Sequence, residues 1–266
     1  MSLVTLLTDF GTSDYFVGAM KGAILSANPL AQIVDLTHEI PAHDIQAGAF
    51  TLLAAYESFP PQTIHLAVVD PGVGSARRPL LIVTREYFFI GPDNGLFSYV
   101  CEREAAPRVY HLTNEKYFRP AVSATFHGRD IFAPVAGALS KQVPPDAFGE
   151  LIVDHVRLAP LAPVRDAVDA WSATIIHIDR FGNLITNISR RELAKEQIAE
   201  GARLEIGGRE ISSFRGFYAE ETKAAGELFA IWGSAGFLEI AANCASAARL
   251  LGVARGQLVR LTTRKL

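Results

Sequence analysis

The chain has 266 residues, 49% of them hydrophobic and 20% charged, enough for one large or two modest globular domains and too apolar for a disordered chain. A net charge of −3 gives no electrostatic reason to expect nucleic acid or an anionic membrane as partner. Cys101 and Cys244 stand far apart without a CxxC, which argues against a disulfide framework or a zinc site and suits a reducing cytoplasm.

The opening MSLVTLLTDF has no basic leader and meets Asp9 too early for a signal peptide. Val4 to Leu7 predicts a buried first strand, followed by the polar stretch Thr8 to Asp14. Tyr15 to Asn28 places Phe16, Ala19, Met20, Ala23 and Ile24 at helical spacing and stops at Asn28-Pro29. Gln32 to Leu36 reads as a second strand. Asp44 is placed to cap a second helix that ends before Phe59-Pro60-Pro61. His65 to Val69 is the third strand, and this alternation predicts parallel pairing through right-handed crossovers.

The third strand runs into VVDPGVGSARRP, where Pro71, Gly72 and Gly74 force a turn between Asp70 and the pair Arg77-Arg78. A carboxylate at a strand's C-terminal end, then a glycine loop and an arginine, sits where open α/β sheets bind ligands. The competing reading is a tight turn whose Asp caps its own backbone. Leu80 to Thr84, Tyr87 to Ile90 and Arg108 to Leu112 are further candidate strands. Phe126-His127-Gly128-Arg129-Asp130 precedes a helical pattern, Ile131 to Leu139, with Asp130 in capping position.

From about Leu151 to Asp169, Pro160, Pro163 and scattered charges suggest a linker. Short alternating runs follow: 173–179, 184–187, 202–206, 210–213, 228–231, 237–240 and 257–261. Their turns hold Gly182-Asn183, Gly207-Gly208 and Gly233, the pattern of a small antiparallel barrel or sandwich. Leu228 to Ala254 could imitate a membrane span, but it carries Glu239 near its middle. A charge there costs about 2.5–3.5 kcal/mol. The segment reads as strand, turn, strand and short helix.

Three loops at the C-terminal edge of the first sheet hold the polar density: Asp9 with Asp14, Asp70 with Arg77, and His127 with Arg129 and Asp130. Asp14 reads equally as a helix cap. Asp9 directly follows the first strand, where a carboxylate can accept bonds from a ribose diol. With no GxGxxG or Walker sequence beside it, a nucleoside without phosphates fits better than a nucleotide. His38, Glu39, His43 and Asp44 match no metal-ligand spacing, so no metal is expected. Asp179-Arg180-Phe181-Gly182-Asn183 reads on its own as a hairpin turn with a capping Asp.

Taken together, LLTDFGTSDYFVGAMKG, VVDPGVGSARRP, GPDNGL, TFHGRDIFAP, DRFGNLITNI and GSAGFLEIA resemble, in order, the SAM hydroxide adenosyltransferase family, relatives of the fluorinase and chlorinase. The resemblance implies an N-terminal doubly wound, mostly parallel α/β domain over 1–160 and a small C-terminal antiparallel β-barrel domain over 170–266. It implies hydrolysis of S-adenosyl-L-methionine to adenosine and L-methionine with no cofactor. It also implies a homotrimer holding the substrate at the subunit interface. A catalytic trio falls on Asp70, Arg77 and His127. Substrate contacts fall on Asp9 and Asp14 near the ribose, on Asp179 at the methionine ammonium, on Phe181 and Asn183 at the adenine, and on Ser234 and Glu239.

Departures from the halogenating branch favour water over halide. That branch has Tyr where this chain has Asp70 and Ser where it has Gly128. Its C-terminal arginines fall on Ala235 and Ala242, and its insertion finds no room between Pro79 and Gly91. The alternatives are a SAM-dependent halogenase, a non-enzymatic SAM- or adenosine-binding protein and, least favoured, a metal-dependent phosphoesterase.

Overall fold

A computed structural model of the chain describes residues 3–193, 201–219 and 224–263. The chain divides into two units, Met1–Pro160 and Leu161–Leu266.

In the first unit the strand β1 (Leu3–Thr8) is buried at every residue but its first, because a strand covered on both faces has no solvent side to alternate with. Helix α1 (Phe16–Ala27) ends where the Asn28 N–H bonds back to the Ile24 carbonyl and Pro29 follows. The strand β2 (Gln32–Thr37) precedes helix α2 (Ile45–Ala55), whose first turn is capped by the Asp44 carboxylate accepting from the Ala47 N–H at 2.9 Å. The strand β3 (Ile64–Val68) returns to the sheet, with β1 lying between β2 and β3 and parallel to both.

Beyond β3 come β4 (Pro79–Val83), β5 (Phe88–Pro92), helix α3 (Ser98–Arg103), which the sequence pattern did not reveal, and β6 (Arg108–Leu112). A single irregular turn, Gly128–Phe132, leads into helix α4 (Ala133–Leu139), and β7 (Gly149–Ile152) completes the sheet. The strand order is β2-β1-β3-β5-β4-β6-β7. Strand β5 is parallel to β3, whereas β4 is antiparallel to both β5 and β6, and β7 is antiparallel to β6. Five strands therefore run one way and two, β4 and β7, the other. The reversal follows from the connection: Thr84 and Tyr87 close a tight turn, the Thr84 N–H bonding the Tyr87 carbonyl at 3.0 Å. A turn that short joins only antiparallel strands.

Helices cover both faces. On one, Met20 and Ile24 of α1 and Val135, Ala136 and Leu139 of α4 bury against Val4, Leu6, Ile64 and Leu66. On the other, α2 packs beside α3 and brings Gly48 against Leu7, Val69 and Leu96.

The second unit is one nine-stranded sheet. Its strands are β8 (Val164–Ala167), β9 (Ala170–Ile178), β10 (Leu184–Ser189), β11 (Arg203–Ile206), β12 (Arg209–Ile211), β13 (Phe214–Arg215), β14 (Leu228–Trp232), β15 (Phe237–Ala242) and β16 (Leu258–Thr262). The order is β12-β11-β16-β9-β10-β15-β14-β13, with β8 also on β9, and every pairing is antiparallel except β13 with β14. The sheet curls as a half-barrel around Trp171, Ile175, Leu204, Leu238 and Leu261. Among the described residues the hydrogen-bonded ladder stays open between β12 and β13, so the expected barrel is not closed by backbone pairing.

The expected linker over 151–169 contains the end of β7 and all of β8. Both are exposed, with no buried face to give the alternation that marks a strand in sequence. No helix among the described residues is long and apolar enough to cross a membrane.

Candidate active site

The parallel strands β1 and β3 end side by side, Thr8 opposite Val68, so Asp9 and Asp70 emerge at one sheet edge. The Asn94 amide donates to the Val69 carbonyl at 2.8 Å and fixes the chain immediately before Asp70. The loop then folds on itself: the Val73 N–H bonds the Asp70 carbonyl and the Ser75 N–H bonds the Gly72 carbonyl. At Gly74, φ is +79° and a Cβ would press into the Ala124 carbonyl, so only glycine lets this loop approach the segment that leads to His127.

The loop turns its two arginines in different directions. Arg78 faces outward, donating to Asp93 at 2.9 Å and Asp154 at 2.8 Å. Arg77 turns inward. Its Nε donates to both oxygens of Asp70 at 3.0 Å, and its Nη2 donates to Asp70 Oδ2 and, at 2.8 Å, to His127 Nδ1. The side chains of Asp70 and Arg77 are only 5% and 8% exposed. The guanidinium also lies 5.2 Å from the Phe132 ring centre. Arg77 Nη1 is buried and finds no acceptor among the described residues.

A guanidinium can only donate. His127 Nδ1 is therefore the acceptor, and the neutral ring carries its proton on Nε2. Burial, reinforced by the charge of Arg77, holds the imidazole pKa below the ordinary histidine value.

Three residues after His127, Asp130 is completely buried. Its carboxylate accepts from Arg129 at 2.7 and 2.9 Å and from the Ser123 N–H at 2.9 Å, while its carbonyl accepts from the Arg119 N–H. These bonds hold its pKa below the usual carboxylate value against the opposing effect of burial. The expected capping role for Asp130 is thus corrected. The helical turn starts two residues earlier, at Gly128, and Asp130 braces the loop instead.

Asp14 is likewise no helix cap. Tyr15 occupies that position without a side-chain bond, and Asp14 is exposed. Asp9 Oδ2 accepts the His43 N–H at 2.8 Å, where His43 has φ +67°, leaving Oδ1 without a partner among the described residues. His38 bonds Thr8 through Nδ1 at 2.8 Å and faces Asp35 through Nε2 at 3.1 Å, so it ties β1 to β2. Among the described residues no group of three or more His, Cys, Asp or Glu side chains could hold a metal ion.

The second unit has a pocket of about 1080 Å³ whose lining includes Asp179, Phe181, Asn183, Ser234 and Glu239, the five positions expected there. Asp179 is committed to its own turn: Oδ1 accepts the Phe181 and Asn183 N–H groups at 2.9 and 2.8 Å, and Oδ2 accepts the Asn183 side-chain amide at 2.8 Å. The hairpin-cap reading of this aspartate is therefore geometrically correct, whatever else it does. Phe181 and Ser234 are exposed. Glu239 is buried on β15 and accepts from the Tyr218 hydroxyl at 3.1 Å.

Residues 4–149 match the model of the SAM hydroxide adenosyltransferase N-terminal domain, and residues 173–260 match that of the corresponding C-terminal domain. The chain belongs to the SAM hydroxide adenosyltransferase family. Similar to it is an (R)-S-adenosyl-L-methionine hydrolase of Methanocaldococcus jannaschii, 39% identical with 95% of this chain and 93% of that one covered. A fluorinase of Actinoplanes sp. is more distant, 27% identical over 77% of each chain. The crystal structure of an uncharacterized conserved protein from Thermotoga maritima superposes with a TM-score of 0.90 at 32% identity, over 97% of this chain and 99% of that one.

Several residues around the two candidate sites carry no clear signal in the sequence. Asn94 lies in GPDNGL, a motif that assigns no role to any one of its residues. Asp130 has the sequence signature of a helix cap and acts as a buried brace. Tyr218, Trp232, Arg180 and Arg249 line the second pocket without belonging to the residues singled out. Tyr218 had no local signal, since its tie to Glu239 spans 21 residues through space.

Proposed function

We propose that this chain hydrolyses (R)-S-adenosyl-L-methionine to adenosine and L-methionine, and that Asp70, Arg77 and His127 hold the attacking water. The observation carrying the catalytic reading is the junction at Arg77: one buried guanidinium joins a carboxylate and an imidazole while a further donor, Nη1, meets no acceptor among the described residues. A buried donor without a partner costs free energy, and a water oxygen or hydroxide at that point would satisfy it.

Water attacks ribose C5′ in line with the departing sulfur. The C5′–O bond forms as the C5′–S bond breaks, and its electron pair neutralises the sulfonium to the thioether of methionine. A sulfonium needs no protonation to leave. The water must give up a proton, and free water has a pKa of about 15.7. His127 cannot take it, because Nδ1 is occupied by Arg77 and Nε2 already bears hydrogen; that N–H orients the water. Asp70 keeps an unused lone pair on Oδ1 and is the acceptor. Arg77 stabilises the hydroxide character that develops.

Base assistance typically contributes about 10²–10⁴-fold, whereas alignment and exclusion of bulk water can supply roughly 7–11 kcal/mol. Positioning is therefore the larger part. Asp9, with one free carboxylate oxygen, is suited to the ribose diol, and Asp14 to the same loop's substrate contact. Phe181 offers an exposed face for adenine to stack on, and Asn183 a side-chain carbonyl for its amino group. The homotrimer implied by the resemblance, with substrate shared between subunits, belongs to the same proposal, and light scattering reads its mass.

The test is incubation of purified protein with the substrate and chromatographic separation of products. Equal amounts of adenosine and methionine are expected, unchanged after dialysis against a chelator. Intact substrate after long incubation would overturn hydrolysis, and a 5′-halo nucleoside formed in fluoride or chloride would move the chain to the halogenating branch.

A further inference from the structure

Asp93 and Asn94, neighbours in GPDNGL, grip the Asp70–Arg77 loop at both of its ends. At the entry, the Asn94 side-chain amide donates to the Val69 carbonyl at 2.8 Å, and Asn94 Oδ1 accepts the Leu96 N–H at 3.2 Å. At the exit, the Asp93 N–H donates to the Arg78 carbonyl at 2.9 Å. Asp93 Oδ2 accepts from Arg78 Nε at 2.9 Å and lies 2.7 Å from Nη2, while Oδ1 accepts the Val156 N–H at 2.7 Å. The Asp93 side chain is only 3% exposed. Burying a carboxylate is costly unless it is paired and hydrogen-bonded, and both of its oxygens are engaged here.

The rest of the motif makes room for these bonds. At Gly91 a Cβ would press into the Ala67 carbonyl, so glycine lets β5 close up on the end of β3. At Gly95, where φ is +95°, a Cβ would meet Leu158 Cγ at 2.9 Å, and the nearby Ser98 hydroxyl accepts the Leu158 N–H at 2.8 Å. The exit anchor also settles which arginine faces the site. Arg78 precedes Pro79, which favours extended backbone, and consecutive side chains of an extended chain point to opposite sides. Holding Arg78 on Asp93 and Asp154 therefore directs Arg77 the other way, onto Asp70 and His127.

We propose that Asp93 and Asn94 are positioning residues for the hydrolytic centre, Asn94 setting the start of the loop and so Asp70, Asp93 setting its end and so Arg77. The assignment rests on the hydrolase reading for the reaction. Asp70 and Arg77 meet at about 3.0 Å, and a displacement of about 1 Å from productive geometry costs on the order of 10²-fold in rate. Loosening either end of the loop therefore lowers kcat. KM changes little, because the proposed substrate contacts lie outside the loop.

The experiment compares Asn94→Ala and Asp93→Asn with two matched controls in the full chain. Asn114 makes the same pair of bonds elsewhere, its amide donating to the Ala147 carbonyl at 2.8 Å and its Oδ1 accepting the Lys116 N–H at 3.2 Å. Asp154→Ala strips the exposed partner from Arg78 and leaves Asp93 in place. Adenosine formation from S-adenosyl-L-methionine gives kcat and KM, and thermal unfolding confirms that each variant is folded. Expected is a loss of about tenfold or more in kcat for Asn94→Ala and Asp93→Asn with KM within about threefold, and both constants within about twofold for Asn114→Ala and Asp154→Ala. Hydrogen exchange reads the clamp without turnover: the Val73 and Ser75 N–H groups, bonded within the loop, should exchange at least about threefold faster in the first two variants and unchanged in the controls. Folded Asn94→Ala and Asp93→Asn proteins with native kcat, a rise in KM alone, or an equal loss in Asn114→Ala would overturn the assignment. Turnover by the unaltered chain with neither rate nor exchange sensitive to Asp93 and Asn94 sinks only the clamp. Faster loop exchange in these variants, with no adenosine from the unaltered chain, sinks only hydrolysis.

Discussion

Replacing Gly74 by alanine tests whether catalysis depends on how closely two loops approach. In the native chain Gly74 has φ +79°, and a Cβ there would lie 3.2 Å from the Ala124 carbonyl carbon and closer still to its oxygen. Carbon–carbon contact is comfortable only at about 3.5–4.0 Å, so the loops must part by roughly 1 Å. The Arg77–His127 bond, now 2.8 Å, would then leave the range of a hydrogen bond. A misplacement of about 1 Å can cost on the order of 10²-fold in rate, or about 2.7 kcal/mol. The left-handed backbone adds roughly 1–2 kcal/mol of strain to the folded state.

The assay is initial-rate formation of adenosine, with circular dichroism and thermal unfolding to confirm that the variant is folded. Gly72→Ala is the control: its Cβ would meet Ser75 Oγ at 3.4 Å, an ordinary contact, and its rate should stay within about threefold of the parent. A folded Gly74→Ala protein with unchanged kcat would refute the idea that contact between Arg77 and His127 sets the rate.

Two further measurements probe other parts of the molecule. His127 must be neutral for Nδ1 to accept from Arg77, and burial together with that arginine lowers its pKa. The acid limb of kcat should therefore lie below about pH 6.5, the ordinary histidine value, and a limb at or above it would count against the assigned tautomer. His65 is stacked on Phe89 with ring centroids 5.2 Å apart and bonded to Thr5 at 2.7 Å; burial pushes its pKa down to about 3. The unfolded chain binds a proton there below about pH 6.5 and the native chain does not, so stability falls as pH drops from 6.5 towards 3, by up to about 1.4 kcal/mol per pH unit. Chemical denaturation at pH 7, 6, 5 and 4 should show this slope reduced by one proton in His65→Gln, and an identical slope would refute it.

The elements legible in the sequence were those with a strong local signature. Helix α1, bounded by Asn28-Pro29, and β6, which buries Val109, Tyr110 and Leu112, matched their expected ends to within about a residue, because periodicity and stop signals act over a single turn or strand. The Asp44 cap was likewise visible, since a cap is a bond between residues three apart. Strand β8 and the exposed end of β7 were missed because an edge strand with no buried face resembles a linker. Asp130 was misread because a carboxylate just before an apolar helix normally caps it, and only the tertiary placement of Arg129 and Ser123 turned it into a buried brace.

The sequence by itself therefore determined the strands and helices that carry strong periodicity or stop signals, the split into two units' worth of pattern, and which polar residues lie at strand ends, since these depend on neighbours within a few positions. Only the tertiary structure decided that β5 rather than β4 lies beside β3, that Arg77 turns inward while Arg78 turns out, that His127 presents Nδ1 to a guanidinium, and that Tyr218 meets Glu239. Each of these is a contact between residues well separated in the chain or a choice between two directions equally open to it. Such choices are settled by what the rest of the fold buries and by which donors and acceptors it leaves to be satisfied.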